Sequence, residues 1–224
     1  MTNFVDLSHV VESGMITYKG LPAPMICDYL SREASKAIYA PGTEFNIGRI
    51  DMVGNTGTYI DSPFHRYPDG LDLAGLPLDS LAGLDTIVVR TQSMFGRAID
   101  MSAFHDLDVR GKAVLVHTGW SRHWRTDQYF DGHPFLTGDA ARLLRAAGAR
   151  LVGIDSYNID NTDDPTRPVH SELLHHDIPI VEHLTNLEAV PESGARFYAV
   201  PAKIKAFGTF PVRAFCALST ENLE

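Results

Sequence analysis

The sequence predicts a single α/β domain built around a mixed β-sheet, and two patterns carry this prediction. Short apolar segments such as residues 85–90, 113–117 and 150–154 are typical of buried strands. The last two are separated by a segment with the apolar spacing of a helix, an order typical of α/β proteins. No linker divides the 224 residues, so we expect one domain over residues 1–224.

Strands are predicted wherever apolar residues alternate with polar ones or form short runs. Near residue 50, Phe45, Ile47 and Met52 lie close to a period of two, and Gly48 is consistent with a bulge. Residues 14–24 contain glycines and prolines and predict a loop. The predicted strands cover residues 3–9, 44–53, 85–90, 113–117, 150–154, 178–181, 196–204 and 210–218.

Two helices are predicted in the second half of the chain. Thr137 is a suitable N-cap, Gly148 a suitable C-terminal stop, and the apolar residues between them repeat at i, i+3, i+4 and i+7. A second helix is predicted over residues 168–176, because Pro168 is favoured at the first helical position.

The composition excludes some classes of protein. The formal net charge of -9 argues against nucleic acid or an anionic membrane as the main partner. No apolar run approaches the roughly 20 residues of a membrane span, and no signal-peptide pattern follows Met1. Cys27 and Cys216 have no metal-type spacing. We therefore expect a cytoplasmic protein with free thiols.

Residues 54–65 carry the densest group of unusual residues. Gly54 and Gly57 permit positive φ or a close approach, and Pro63 restricts the backbone around it. The segment predicts a rigid loop after a strand, which holds Asp61 and His65 in fixed directions. Asp61 supplies hard anionic oxygens and His65 exchanges a proton near neutral pH. The alternative is a turn whose polar groups cap the backbone.

Two further segments are rich in groups that carry chemistry. Residues 117–133 contain Trp120 and Trp124 and predict a structured loop that forms one wall of a pocket for a planar ligand, with surface packing as the alternative. Residues 153–182 contain Asp155, Tyr157 and other ionisable residues, and Asp155 directly follows a predicted strand, where α/β proteins place ligand groups.

Four of these residues, Asp61, His65, His170 and Glu182, form a candidate site if the fold brings them together. Two carboxylates and one imidazole are a partial ligand shell for Zn²⁺ or Mn²⁺. Such an ion lowers the pKa of a bound water and polarises a carbonyl group. The remaining imidazole would then act as the general base.

The motif around Asp61 and His65 resembles the cyclase family of metal-dependent hydrolases, which includes bacterial kynurenine formamidases and isatin hydrolases. The family signature is His-x-Gly-Thr-His-x-Asp-x-Pro-x-His. The same frame here begins at Asn55 and ends at His65, and the likeness extends over nearly the whole chain. Further matching segments are Asp6-Leu7-Ser8-His9, Thr118-Gly119-Trp120, Gly153-Ile154-Asp155-Ser156, Pro201-Ala202-Lys203-Ile204 and Pro211-Val212-Arg213-Ala214.

This resemblance implies a fold, an assembly and a reaction. The fold would be a swivelling β/β/α domain, and the assembly a homodimer or a larger homo-oligomer. The reaction would be hydrolysis, or the reverse ring closure, at an amide or lactone-like carbonyl. By position in the sequence, the resemblance implies Asp61 of the motif and the downstream His170 and Glu182 as metal ligands, and His65 as the acid/base.

Two metal-binding histidines of the family motif are replaced, by Asn55 and by Tyr59. A neutral amide is a poor zinc ligand, and a tyrosine binds only when deprotonated, from a free pKa of about 10. Three ligands would hold a metal weakly. Alternatively, Tyr59 and Asn55 replace the metal by hydrogen-bonding a carbonyl oxygen or its oxyanion. The sequence therefore leaves open whether the protein binds a metal weakly or is metal-free.

The sequence therefore predicts a hydrolase or cyclase that acts on a small cyclic or aromatic carbonyl compound. His65 would be the acid/base, assisted by Tyr59, Asp61 and Glu182. The residues predicted to contact the substrate are Asn55, Trp120, Trp124 and Tyr157. The alternative is a metal-free, non-catalytic protein of the same fold that binds a small molecule.

Overall fold

The computed structural model describes residues 3–218, which contain thirteen strands and three α-helices. The strands are β1 (Asn3–Asp6), β2 (Met25–Leu30), β3 (Ile47–Asp51), β4 (Tyr59–Asp61), β5 (Ala82–Arg90), β6 (Ala98–Ile99), β7 (Ala113–His117), β8 (Phe135–Leu136), β9 (Leu151–Ile154), β10 (Ile180–Glu182), β11 (Ser193–Tyr198), β12 (Thr209–Pro211) and β13 (Phe215–Leu218). The helices are α1 (Arg32–Ser35), α2 (Gly138–Ala147) and α3 (Pro168–His175).

Nine strands form one mixed sheet in the order β1-β13-β11-β5-β7-β9-β10-β4-β12. The central strands β5, β7, β9 and β10 are parallel, and the outer pairs are antiparallel. Two-stranded sheets are formed by β2 with β3 and by β6 with β8. The α/β class with a mixed sheet, predicted from the sequence, is confirmed.

The parallel part of the sheet is buried on both faces. In β7, Val114 and Val116 pack in the same cluster as Leu144 of α2 and Leu173 of α3. The intervening Leu115 belongs to the cluster on the opposite face. Because successive strand residues point to opposite faces, a strand covered on both sides is apolar throughout, and this is the pattern that made β7 predictable.

The two predicted helices are confirmed, with the signals that predicted them. The Thr137 side chain accepts a hydrogen bond from the Ala140 amide at 3.2 Å, and Gly148 ends α2 with a φ of 84°. Helix α3 begins at Pro168. Both helices contribute side chains to the apolar cluster on one face of the sheet.

Some predicted boundaries were wrong. Within residues 54–65, predicted as a loop, Tyr59–Asp61 form strand β4 inside the main sheet, between β10 and β12. The predicted strand 44–53 is reduced to β3, which pairs with the unpredicted β2 in an exposed hairpin. The predicted strands 3–9 and 196–204 end at Asp6 and Tyr198, because Leu7 and Ala199 bond outside the strand ladders.

Two further features concern membrane-spanning helices and disulfide bonds. Across residues 3–218, the structure contains no helix with the length and apolarity needed to cross a bilayer. Cys27 is exposed, Cys216 is buried, and neither forms a disulfide within the described chain.

Candidate active site

The register of strand β4 assembles the centre of the site. Tyr59 and Asp61 are two residues apart and point to the same face, whereas Ile60 between them packs into the core on the other face. Glu182 of β10 lies opposite Tyr59, and Thr209 of β12 lies opposite Asp61. The antiparallel pairing thus places the Glu182 carboxyl group beside Tyr59 and the Thr209 hydroxyl beside Asp61.

His65 is held by a turn that follows β4. Residues Pro63–His65 form one turn of 3₁₀-helix. The backbone of Gly208 lies directly against it: a Cβ at position 208 would approach the His65 backbone nitrogen to 2.6 Å, so only glycine fits. The Ser62 amide also donates to the Gly208 carbonyl at 2.7 Å. The backbone at residue 65 is therefore fixed by its contact with the segment before β12.

A carboxylate, a hydroxyl and an imidazole form a hydrogen-bonded chain in this turn. The Thr209 hydroxyl donates to Asp61 Oδ1, and Thr209 Oγ1 lies 2.8 Å from His65 Nδ1. Because the single hydroxyl proton is directed at Asp61, Nδ1 of His65 is the atom that donates to Thr209. This assigns the Nδ1–H tautomer to neutral His65 and leaves Nε2 free to accept a proton.

Asp61 is fully buried, and its second oxygen, Oδ2, has no hydrogen-bond partner in the described chain. Burial alone raises the pKa of this carboxyl group. The imidazoles of His65 and His170 and the Thr209 hydroxyl outweigh that effect, so the pKa is lowered overall. Asp61 therefore stays ionised and orients the groups around it.

His170 is a buried imidazole surrounded by three carboxylates. Its Nδ1 lies 2.7 Å from Asp160 Oδ2, and its Nε2 lies 3.6 Å from Asp61 Oδ2 and 3.8 Å from Glu182 Oε1. Burial alone would lower the pKa of His170, but the carboxylates of Glu182, Asp160 and Asp61 raise it to about 10. At neutral pH His170 is an imidazolium ion.

Glu182 and Tyr59 form a second buried pair. The Tyr59 hydroxyl donates to Glu182 Oε2 at 2.6 Å, and the Ile159 amide donates to Oε1 at 2.6 Å. Burial is the main cause that raises the pKa of Glu182 to about 7, with His170 acting in the opposite direction. Burial and Glu182 also raise the pKa of Tyr59, which remains a phenol beside the Asn55 side chain.

These groups open into a cavity of about 240 Å³. This volume is below the roughly 300–1,000 Å³ of a typical ligand pocket and suits a small substrate. The inner part is formed by the buried residues Tyr59, Asn158, His170 and Glu182, with the half-buried Asn55 beside Tyr59. The outer part is formed by the more exposed residues Tyr18, Leu21, His65, Arg66 and Arg167.

Three residues predicted to contact the substrate do not line this cavity. Trp124 stacks on His9 with ring centroids 4.0 Å apart, and Trp120 donates from Nε1 to the Tyr129 carbonyl. Tyr157 is buried and stacks against Tyr18, so it supports the cavity wall from behind. Of the predicted contact residues, Asn55 alone is part of the lining.

Asp155 and Asp160 have structural partners. Asp155 accepts hydrogen bonds from the backbone amides of Thr118 and Gly119, at 2.7 and 2.8 Å, and therefore holds the turn after β7. Asp160 accepts from the amides of Val169 and His170 and orients the His170 ring. The sequence reasoning missed the roles of Asp160 and Thr209, because each depends on a contact between separate segments.

The model of the Cyclase family, described as "Putative cyclase", matches residues 5–161. The chain belongs to the cyclase family of hydrolases. It is 31% identical to a kynurenine formamidase of Bacillus cytotoxicus over 215 residues, covering 95% of this chain and 96% of that protein. The resemblance stated from the motif is thereby confirmed.

A solved structure shows the same fold. Isatin hydrolase A from Labrenzia aggregata, bound to benzyl benzoate, superimposes with a TM-score of 0.81 at 21% identity. The alignment covers 97% of this chain and 94% of that chain. The swivelling β/β/α fold implied by the resemblance is confirmed over this length.

Of the three ligands implied by the family, Asp61 and His170 lie together, whereas Glu182 does not lie close to both of them. Ligands that share one zinc ion at about 2 Å lie at most roughly 4 Å apart. Both oxygens of Glu182 accept hydrogen bonds, and Glu182 is outside the group of donor atoms that lie within 4.8 Å of one another. Within the described chain, that group consists of Asp61, His65 and His170. It includes His65, whose Nδ1 is bonded to Thr209 and whose Nε2 forms no hydrogen bond within the described chain.

Proposed function

We propose that this chain is a hydrolase of the amide or lactone-type carbonyl of a small aromatic or cyclic compound, with His65 as the acid/base. The observation that carries the proposal is the hydrogen-bonded chain from Asp61 through Thr209 to His65. It leaves His65 Nε2 as a proton acceptor at the cavity. The His65 side chain keeps 36% of its surface exposed, so water and substrate reach it.

The proton transfers follow from this tautomer. His65 Nε2 removes a proton from a water molecule, whose oxygen bonds to the carbonyl carbon. When the bond from carbon to nitrogen breaks, the proton on His65 passes to the leaving nitrogen, and the products are an acid and an amine. Asp61 stabilises the transient His65 imidazolium through Thr209, as a buried carboxylate does for a catalytic histidine.

One amide donor and one buried cation would face the carbonyl oxygen of a bound substrate. The Tyr59 proton is already directed at Glu182, whereas the Asn55 amide has two N–H groups, one of which remains for the substrate. The His170 imidazolium adds positive charge on the same wall. Charge placed in advance at a developing oxyanion is commonly worth about 3 kcal/mol or more in the transition state. We therefore assign the oxyanion to this wall.

No metal ion takes part in the proposed proton transfers. Asn55 and Tyr59 occupy two ligand positions of the family motif, and the three donors that do lie together include His65. An ion bound there would withdraw the His65 imidazole from proton transfer. The Tyr59 hydroxyl and the Glu182 carboxyl group instead form a hydrogen bond with each other.

The relatives indicate a first substrate to test. The similar proteins from Bacillus cytotoxicus and Bacillus anthracis are named kynurenine formamidase. Aryl formamides are therefore suitable probes, and formanilide is a small neutral example. We expect formate release by the wild type and loss of turnover in His65→Ala with an unchanged circular dichroism spectrum. Turnover by His65→Ala at the wild-type rate would contradict the assignment.

The second candidate is a binding protein without catalysis, and the replaced ligand positions Asn55 and Tyr59 favour it. It predicts that small aromatic carbonyl compounds bind without conversion, whichever metal is supplied. Formate release from bound formanilide distinguishes the two candidates.

A further inference from the structure

Two arginines, Arg66 and Arg167, line the outer part of the cavity. No carboxylate oxygen of the described chain lies within 4.0 Å of either guanidinium group. In contrast, Arg145 is paired with Glu172 at 2.6 Å, and Arg150 with Asp79 at 2.8 Å. Arg66 and Arg167 are therefore two cationic side chains that line the same cavity without a neutralising carboxylate of the described chain within salt-bridge distance.

Both arginines lie next to the first turn of α3. Arg66 Nε lies 3.4 Å from Ser171 Oγ, and its guanidinium lies 5.3 Å from the Tyr67 ring centroid. Arg167 is the N-cap of α3 and donates to the Asn161 carbonyl at 3.0 Å. Each guanidinium group has five N–H donors, so most donors on both side chains remain free. The two side chains therefore present free donors at one end of the cavity.

The backbone conformation of Arg167 supports the view that its side chain is held in a specific position. Its φ of 48° and ψ of 61° lie in the left-handed region, which is unfavourable for a residue other than glycine. Glycine or asparagine would adopt this conformation with less strain. Strain of this kind is concentrated at sites of function, where surrounding contacts maintain it.

The inner and outer parts of the cavity differ in charge. Asp61 and Glu182 are buried at the inner end, beside His170. The inner part thus combines two carboxyl groups with the His170 imidazole, whereas the outer part carries two guanidinium groups that have no carboxylate partner within residues 3–218. At the outer end, guanidinium groups match a carboxylate in geometry and charge. A ligand would therefore bind with its anionic group at the outer part of the cavity and its neutral carbonyl group at the inner part.

We propose that Arg66 and Arg167 form a carboxylate-binding subsite, so that the substrate is an aromatic carbonyl compound with a carboxylate remote from the bond that breaks. This inference rests on the proposed function for the reaction, but the subsite itself is a binding property. The cavity of about 240 Å³ has space for one ring and its substituents.

The kinetic test compares formanilide with its 2-, 3- and 4-carboxylate derivatives. We expect at least one formamidobenzoate to exceed formanilide in kcat/KM. Arg167→Gln and Arg66→Gln should each reduce this preference by roughly 10- to 100-fold, since a hydrogen bond to a charged group contributes about 1.5–3 kcal/mol. Arg142→Gln, which removes an exposed charge from α2, should leave the preference unchanged.

A binding test separates the subsite from the reaction. Benzoate and benzamide have the same shape and differ in charge, and their affinities can be measured by ligand-detected NMR on wild type, Arg66→Gln and Arg167→Gln. We expect benzoate to bind more tightly, and the arginine variants to lose that preference. If no formamide is hydrolysed but this result holds, the reaction is wrong and the subsite stands. Equal affinities in wild type, or no binding of either compound, would overturn the subsite.

Discussion

The His65 imidazole and the Thr209 hydroxyl lie 2.8 Å apart, although they are separated by 144 positions in the chain. The same hydroxyl donates to Asp61, so it connects the carboxylate to the imidazole and selects the tautomer of His65. A hydroxyl in this position acts through His65 and has no direct contact with the reacting atoms. Thr209 is therefore a positioning residue.

Thr209→Val preserves the shape of the side chain and removes the hydroxyl. Because His65 then loses the group that orients its ring, we expect kcat to fall by roughly 10²-fold, within the usual contribution of general acid–base catalysis. Thr209→Ser retains the hydroxyl and should recover most of the rate. A similar loss in Thr209→Ser would indicate that packing of the methyl group matters and the hydroxyl does not.

The parts of the fold that were predictable from sequence depend on local signals. Helix α2 has an N-cap, an apolar stripe and a glycine stop within 12 residues, from Thr137 to Gly148. Strand β7 is apolar throughout because both of its faces are covered. Neither element requires knowledge of a distant partner.

The elements and contacts that were missed depend on pairing between distant segments. Strand β4 has three residues and exists because β10 and β12 pair with it. Trp120 and Trp124 are in an aromatic loop, as predicted, but that loop packs on His9 and Tyr129 outside the cavity lining. Composition alone cannot distinguish a buried aromatic contact from a ligand contact.

Restoring the two family histidines tests whether Asn55 and Tyr59 are the reason that this site lacks the family's metal-ligand set. The double variant Asn55→His/Tyr59→His adds two imidazoles and releases Glu182 from its hydrogen bond with Tyr59. We expect this variant to bind Zn²⁺ stoichiometrically, with an affinity at least roughly tenfold above that of wild type. Isothermal titration and elemental analysis measure the change, and Asn55→Gln/Tyr59→Phe is the matched control. Equal zinc affinity in the restored variant and control would contradict this explanation.

The Tyr59 hydroxyl also contributes to stability. Tyr59→Phe removes the donor to Glu182 Oε2 and leaves a buried carboxyl oxygen unsatisfied, which costs about 1–3 kcal/mol. Urea unfolding at neutral pH should show a reduced midpoint with an unchanged m-value. Tyr29→Phe removes the hydroxyl of an exposed tyrosine and should have no effect. An unchanged midpoint for Tyr59→Phe would mean that water replaces the hydroxyl.

His9 makes the fold sensitive to acid. Its ring stacks on Trp124, and burial lowers its pKa from 6.5 to about 4. The unfolded chain therefore binds the proton more readily than the folded chain, and the free energy of unfolding decreases as pH falls from about 6.5 towards 4. At pH 5 the loss is at most about 2 kcal/mol.

The acid sensitivity is measured by urea unfolding at pH 7 and pH 5. His9→Gln should decrease the difference between the two pH values, whereas substitution of the exposed His105 by glutamine should not. An identical pH difference in wild type and His9→Gln would show that other groups determine the acid response.

The hairpin of β2 and β3 is the proposed contact for a second copy of the chain. It leaves large apolar side chains exposed, namely Met25, Ile26, Tyr29, Ile47 and Ile50. Ile26 and Ile50 are opposite each other in the register, so both side chains are on one face. Exposed apolar side chains such as these on one hairpin are typical of an interaction surface. The homodimer implied by the family resemblance would cover it.

Light scattering after size-exclusion chromatography measures the assembly. We expect a dimer or larger oligomer for wild type and a monomer for Ile26→Lys/Ile50→Lys. The control Leu78→Lys/Met101→Lys changes two exposed apolar residues outside the hairpin and should retain the oligomer. A monomeric wild type would exclude this assembly.

The central claim is that the Asp61–Thr209–His65 chain hydrolyses an amide without a metal ion. The most direct measurement is the rate of formate release from formanilide by wild type after exhaustive treatment with a chelator, followed by titration with Zn²⁺. The account predicts that the treated protein is active and that Zn²⁺ decreases its rate by withdrawing His65. Loss of activity on chelation, with recovery in proportion to the bound zinc, would contradict it.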